Sequence, residues 1–218
     1  MKKLVSMTLV LIAILVLCSS AFAKTEDEIF FRSIPWGSTY EETMKILKDL
    51  SITWDSPEPY QSGKKELVTG FTVTSKRVMD FSVAGNKITS VTLWFAYDIN
   101  KPSSKESALF IQAKYTFDSE SNASGVEDDL KEKMGNVYTA PDDYKSSSFG
   151  NDFTHCWYWY GGNNTSVMLY HKYTEPFFIK SMASDELELI YTSGQFEQFL
   201  NTYYDYLNKE NNKNTDGL

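Results

Sequence analysis

Phe153-Thr154-His155-Cys156-Trp157-Tyr158-Trp159-Tyr160 runs into Gly161-Gly162-Asn163-Asn164 and then into Thr165-Ser166-Val167-Met168-Leu169-Tyr170-His171-Lys172. Two segments rich in aromatic and β-branched residues flank a short Gly/Asn cluster, the pattern of a β-hairpin. Successive side chains of a strand point to opposite faces. Phe153, His155, Trp157 and Trp159 therefore project one way, and Cys156, Tyr158 and Tyr160 the other. A sheet covered on one side buries one set and presents the other. Exposed rows of Tyr or Trp suit sugar rings or protein partners. Trp157, Tyr158, Trp159 and Tyr160 are thus the candidate binding residues. The competing reading buries both faces between sheet and helices.

The same logic extends towards the N-terminus. Ile88–Tyr97 reads as a strand entered through a hairpin turn at Ala84-Gly85-Asn86-Lys87, with Val91, Leu93 and Phe95 on one face. Glu66–Thr74 and Arg77–Val83 are further strand candidates, and Ser56–Lys64 reads as a loop. Upstream, Ser38 and Glu41 form an S-x-x-E capping box, and Tyr40, Met44 and Leu47 predict a helix to about Leu50.

After a polar break at Asp98–Lys105, Leu109–Phe117 alternates as a strand. Val126, Leu130 and Met134 space a helix over Gly125–Met134, stopped by Gly135. Pro141–Asn151 reads as a loop, Glu186–Tyr191 as a last strand, and Phe196, Phe199, Leu200, Tyr203 and Leu207 as an amphipathic C-terminal helix. The order helix, loop, hairpin, strand occurs twice. The expected fold class is α+β: antiparallel sheet, in one piece or two, with helices packed on one face. A single domain over 24–208 would hold a tandem helix–hairpin–strand repeat, 29–98 and 106–208, before a disordered polar tail at 209–218.

Residues 1–23 read as a secretory signal peptide. Lys2 and Lys3 precede an apolar run, Leu4–Leu17, and Ala21-Phe22-Ala23 supplies the small-residue cleavage site. The run is short of the roughly 20 residues a spanning helix needs. Cys18 follows Leu17 rather than a small residue, which disfavours a lipoprotein. The product is expected in the periplasm or outside the cell, with no transmembrane segment. The leader carries two lysines and no acids, so the mature chain is more acidic than the formal −8 of the whole. Such a charge repels nucleic acid and anionic lipid. Cys156 is the one cysteine outside the leader, so no intramolecular disulfide forms.

The segment Phe31-Arg32-Ser33-Ile34-Pro35-Trp36-Gly37-Ser38-Thr39-Tyr40-Glu41-Glu42 resembles the opening of a group of uncharacterised secreted bacterial proteins with an F-x-x-I-P-W-G-S-x-x-E-E signature. The stretch Trp157 to Leu169 is similar to their second hairpin. More distantly, the chain resembles small envelope domains of the SmpA/OmlA and beta-lactamase-inhibitor-protein type, in which a W-G helix start precedes antiparallel strands. That likeness implies binding of other proteins. This chain lacks the inhibitor's disulfide cysteines and shows one helix per repeat rather than two.

His155 and His171 are the two histidines of the chain. With Tyr160 opposite Thr165, His155 faces Tyr170 and His171 falls on the other face, and a one-residue change in the loop reverses this. Structural zinc takes four ligands, and neither C-x-x-C nor H-x-x-x-H spacing is present. No metal site and no cofactor are assigned. There is no G-x-S-x-G elbow, and Cys156 among bulky aromatics reads as a buried structural cysteine. The acidic groups Glu127-Asp128-Asp129, Asp142-Asp143 and Asp185-Glu186 read as solvated surface. No catalytic residue is assigned; an enzyme would need a pocket holding His155 or His171 beside a carboxylate. The expectation is a secreted or periplasmic non-catalytic protein that binds a protein partner in the envelope. The alternative is a binding module for a small molecule or glycan.

Overall fold

The computed structural model describes residues 28–48, 52–61, 68–76, 82–97, 104–119, 121–135, 137–146, 150–178, 183–196, 198–199, 201–202, 205 and 208–209. The leader, residues 1–23, and all of the proposed tail but Lys209 lie outside them. In chain order the elements are α1 (Tyr40–Leu47), β1 (Glu58–Gln61), β2 (Val68–Ser75), β3 (Ser82–Val83), β4 (Asn86–Ala96) and β5 (Leu109–Phe117), then α2 (Ala123–Met134), β6 (Tyr138–Thr139), β7 (Asp143–Ser146), β8 (Gly150–Tyr160), β9 (Ser166–Pro176) and β10 (Asp185–Thr192). The strands form one antiparallel sheet in the order β1-β2-β4-β5-β10-β9-β8-β6, with β3 beside β4 and β7 beside β8. The architecture is richer in sheet than the sequence suggests: α1 and α2 span 8 and 12 residues. The described residues of the C-terminal helix are helical, from Phe196 on.

One face of the sheet, the inner face, carries the apolar cluster. Phe71, Val73, Leu93, Phe95, Ala113, Tyr115, Leu169 and Leu189 belong to it, together with Leu47 of α1 and Val126 and Leu130 of α2. Alternation is the physical reason, because residues two apart share a face. A tight turn before α1, with Arg32 and Ser33 at positive φ, presents Phe31 to this cluster. Phe31 touches Phe110, Tyr115 and Tyr191 at centroid distances of 6.2, 5.2 and 5.6 Å, where β5 and β10 meet. Trp36 stacks on Phe110 at 4.9 Å.

Three expectations are corrected, and one alternative left open is decided. The cap of α1 is Thr39 with Glu42, not Ser38 with Glu41. Both pairs fit the motif, but the Ser38 carbonyl is taken by Phe110 N–H, beside the bridge that Thr39 makes with Leu109, and so is not available to a helical N–H. The chain is therefore free to turn helical only one residue later. The expected loop Ser56–Lys64 contains strand β1, despite two prolines, because it lies at the sheet edge where a missing donor faces away from the ladder. The expected loop Pro141–Asn151 likewise contains β7 and the start of β8. Finally, β5 pairs with both β4 and β10, so the polar break at 98–105 does not divide the sheet. Of the strand expected at Arg77–Val83, only Ser82–Val83 lies among the described residues; it turns into β4 through Ala84 and Gly85, both at positive φ.

Candidate functional site

The register of the β8–β9 hairpin decides what its side chains do together. Tyr160 pairs with Ser166, not with Thr165, so His155 stands directly opposite His171 on the same face. The condition that separated the two histidines in the sequence reading does not hold. The cause is Thr165, which is buried and serves the turn rather than the strand. Its hydroxyl accepts from Ile29 N–H (3.0 Å) and donates to Gly162 O (2.8 Å), while its carbonyl accepts from Gly161 N–H (2.9 Å). Asn163 and Asn164 take positive φ to close the turn. Gly194 lies against it so closely that a Cβ there would come within 1.8 Å of Asn163 O.

The hairpin's inner face carries Trp159 at 1% exposure, in the core, and Trp157, partly buried against it. Further along the strands the covering thins, and a row of rings continues half-buried. Phe153 stacks on Tyr173 at 5.0 Å, Tyr173 on His171 at 5.0 Å and on His155 at 5.7 Å, and His155 tilts towards Trp157 at 5.9 Å. Each histidine has its own carboxylate. His155 Nδ1 is 2.5 Å from Asp142 Oδ1, and His171 Nε2 is 3.0 Å from Asp185 Oδ1. Asp142 precedes β7, outside β8, and Asp185 opens β10, outside β9. The acids flank the histidine pair from opposite sides, and both stay on the solvated surface, with side chains 58% and 43% exposed.

On the outer face lie Cys156, Tyr158 and Tyr160. Tyr158 stacks on Tyr160 at 6.1 Å with rings 7° from parallel, and Tyr138 of β6 sits 6.2 Å from Tyr158. Tyr160 and Tyr138 are 47% and 43% exposed. Trp157, Tyr158, Trp159 and Tyr160 are thus divided between core and surface, and only the two tyrosines are presented together. Burial pushes the Cys156 thiol up, partly offset by a hydrogen bond with Tyr158. A thiol so disposed, on the opposite face from both histidines, forms no Cys–His dyad. Deeper along the same face, Asp143, Lys145, Asp152, Thr154, Tyr170 and Lys172 line a shallow cavity of about 270 Å³.

Several other acids form ion pairs. Glu127 and Asp129 pair along α2 with Lys131 and Lys133, each at 2.5 Å. Glu188, buried on the outer face, pairs with Lys114. Among the described residues, no three His, Cys, Asp or Glu side chains gather as a metal-binding group, and no helix is long and apolar enough to cross a membrane. Comparison with known proteins finds no matching family model, curated protein or solved structure.

Proposed function

We propose that this chain is exported to the periplasm or beyond, and that it binds a protein partner, without catalysis, through the outer face of its second hairpin. The observation that carries the reading is the strip Tyr138–Tyr158–Tyr160, half open to solvent, with Tyr158 stacked on Tyr160 and Tyr138 tilted beside them. Tyrosine offers a partner a large rigid apolar area with a hydroxyl at its tip. Other large apolar groups are exposed in the same half, notably Phe177 at 50% and Phe178 at 87%.

The glycan or small-molecule alternative wants an aromatic cleft. The outer-face cavity has charged walls, and its volume falls below the roughly 300–1,000 Å³ usual for ligand pockets. A flat tyrosine strip beside a charged hollow fits a protein surface better. An enzyme would need a pocket holding His155 or His171 beside a carboxylate; each histidine does stand beside an aspartate, and the cavity opens on the opposite face.

The finer architecture is part of the same reading. α1 and α2 each precede a meander of strands, and the last strands of the two meanders, β5 and β10, pair with each other. We read these as two related halves, with their helices on the inner face, leaving the outer face for a partner.

The test has two arms. Export predicts that the mature product, sequenced from its N-terminus, begins at Lys24. Binding predicts that Tyr158→Ala and Tyr160→Ala each weaken the complex with a co-purified partner at least about tenfold, as interface tyrosines do, while stability stays within about 0.5 kcal/mol for the exposed Tyr160. Unchanged affinity in both variants overturns the site.

A further inference from the structure

We propose that His155 and His171 form a two-imidazole clasp for a late first-row transition ion of the Zn²⁺ or Cu²⁺ class, on the inner face of the β8–β9 hairpin.

Three observations carry it. The first is spacing. The residues pair directly across antiparallel strands, with ring centroids 6.2 Å apart and planes 32° from each other. An ion held at about 2.0–2.1 Å from two imidazole nitrogens sets the ring centres roughly 5–6.5 Å apart. The observed separation falls within that range, so the two rings are spaced for one shared ion.

The second is the state of the nitrogens. A carboxylate only accepts hydrogen bonds, so Asp142 fixes the proton of neutral His155 on Nδ1, and Asp185 fixes that of His171 on Nε2. The lone pairs left are those of His155 Nε2 and His171 Nδ1. Because the two acids stand outside the pair on opposite sides, the unprotonated nitrogen of each ring is turned away from its acid. A carboxylate on the far nitrogen is the support that ligating histidines ordinarily have, orienting the ring and raising its basicity.

The third is access. The two side chains are 22% and 17% exposed, sheltered by Tyr173 and Trp157 yet open to an ion from solvent. Imidazole is a good ligand for zinc, copper and nickel and a poor one for calcium and magnesium. Two protein donors leave the remaining positions to water or to a donor from outside the chain. The site is therefore exchangeable and differs from a closed structural zinc site. It stands independently of the tyrosine strip, which lies on the other face.

The experiment titrates the purified, chelator-treated chain with Zn²⁺ while observing histidine ring resonances by NMR. With two histidines in the chain, the assignment has no competitor. Both sets of ring signals should shift together and saturate at one ion per chain, and Ca²⁺ or Mg²⁺ should shift neither. Cu²⁺ should give an electron paramagnetic resonance spectrum with coupling to two imidazole nitrogens, reduced to one in His155→Ala or His171→Ala. Asp142→Asn and Asp185→Asn should weaken Zn²⁺ about 10–100-fold, and Cys156→Ser should leave binding unchanged. The proposal is overturned if millimolar Zn²⁺ moves only one histidine or neither. Retention of wild-type affinity in either histidine variant overturns it equally. The resonance shifts are read on the unmodified chain, so misfolding of a variant leaves the answer intact.

Discussion

The strands β4 and β8 have the same length, 11 residues, and both alternate apolar with polar side chains, yet their environments differ. In β4 the inward residues Ile88, Val91, Leu93 and Phe95 are all sealed, at 1% exposure or less. In β8 only Gly150 and Trp159 are buried, and the residues between them are half-open on both faces. Around β4, Tyr40 of α1 closes edge-on over Phe71 and Phe95, at 5.3 Å from each ring. Over β8, the buried core reaches Trp159 and then gives way to histidines, tyrosines and their aspartates. One hairpin is built to hold the sheet together, and the other uses the same pattern to display chemistry.

Substitution of matched inner-face phenylalanines should widen that contrast most. Phe95→Ala is expected to cost about 3–5 kcal/mol, the range for emptying a fully buried aromatic site, and Phe153→Ala clearly less, both read by urea denaturation. Equal losses would remove the distinction between the two regions. The seam between them is tested by Lys114→Met, which leaves Glu188 buried without its cation. The expected loss is about 3 kcal/mol, the low end for a broken buried pair because Lys114 is partly exposed. A denaturation midpoint unchanged from wild type would show that the pair contributes nothing.

Thr165→Val keeps the shape and removes the hydroxyl that ties the second turn to Ile29 and Gly162. About 1–3 kcal/mol should be lost, the cost of unpaired buried groups. If Thr165 sets the register, the histidine ring resonances should change as well; if they do not, the register has another origin.

The smallest effect lies at the start of α1. Thr39→Ala should cost about 0.5–2 kcal/mol, and Ser38→Ala less, which distinguishes the two candidate caps. The backbone N–H of Thr39, and then its hydroxyl, hold the Glu42 carboxyl below its ordinary range. A depressed folded value means that this contribution is present above the unfolded value and lost as pH falls through the folded one. The acid limb of stability for Thr39→Ala should therefore be shallower than that of the wild type.

Much of this was legible in the residues. β5 occupies Leu109–Phe117, as its alternation indicates, and Val126 and Leu130 are buried in α2 as their spacing indicates. What escaped was decided by partners remote in sequence. β1 and β7 are short, polar strands with no pattern of their own, and they exist because β2 and β8 offer them a ladder. Thr39 displaced Ser38 as the cap because Phe110, far along the chain, claims the backbone of Ser38. The division of Trp157, Tyr158, Trp159 and Tyr160 between two faces follows from alternation alone; which face would be covered does not.

The sequence by itself determined the alternation of β8 and β9, since side-chain direction in a strand is a local property with a period of two. It determined where the hairpin turns, because Gly161-Gly162-Asn163-Asn164 tolerates the backbone angles of a turn. Only the tertiary structure decided the register. Thr165 could continue the strand or close the loop, and its hydroxyl closes the loop because Ile29 N–H, from the other end of the described chain, donates to it. That single residue of slip moves His171 from the face opposite His155 to the position beside it, and so turns two scattered histidines into a pair.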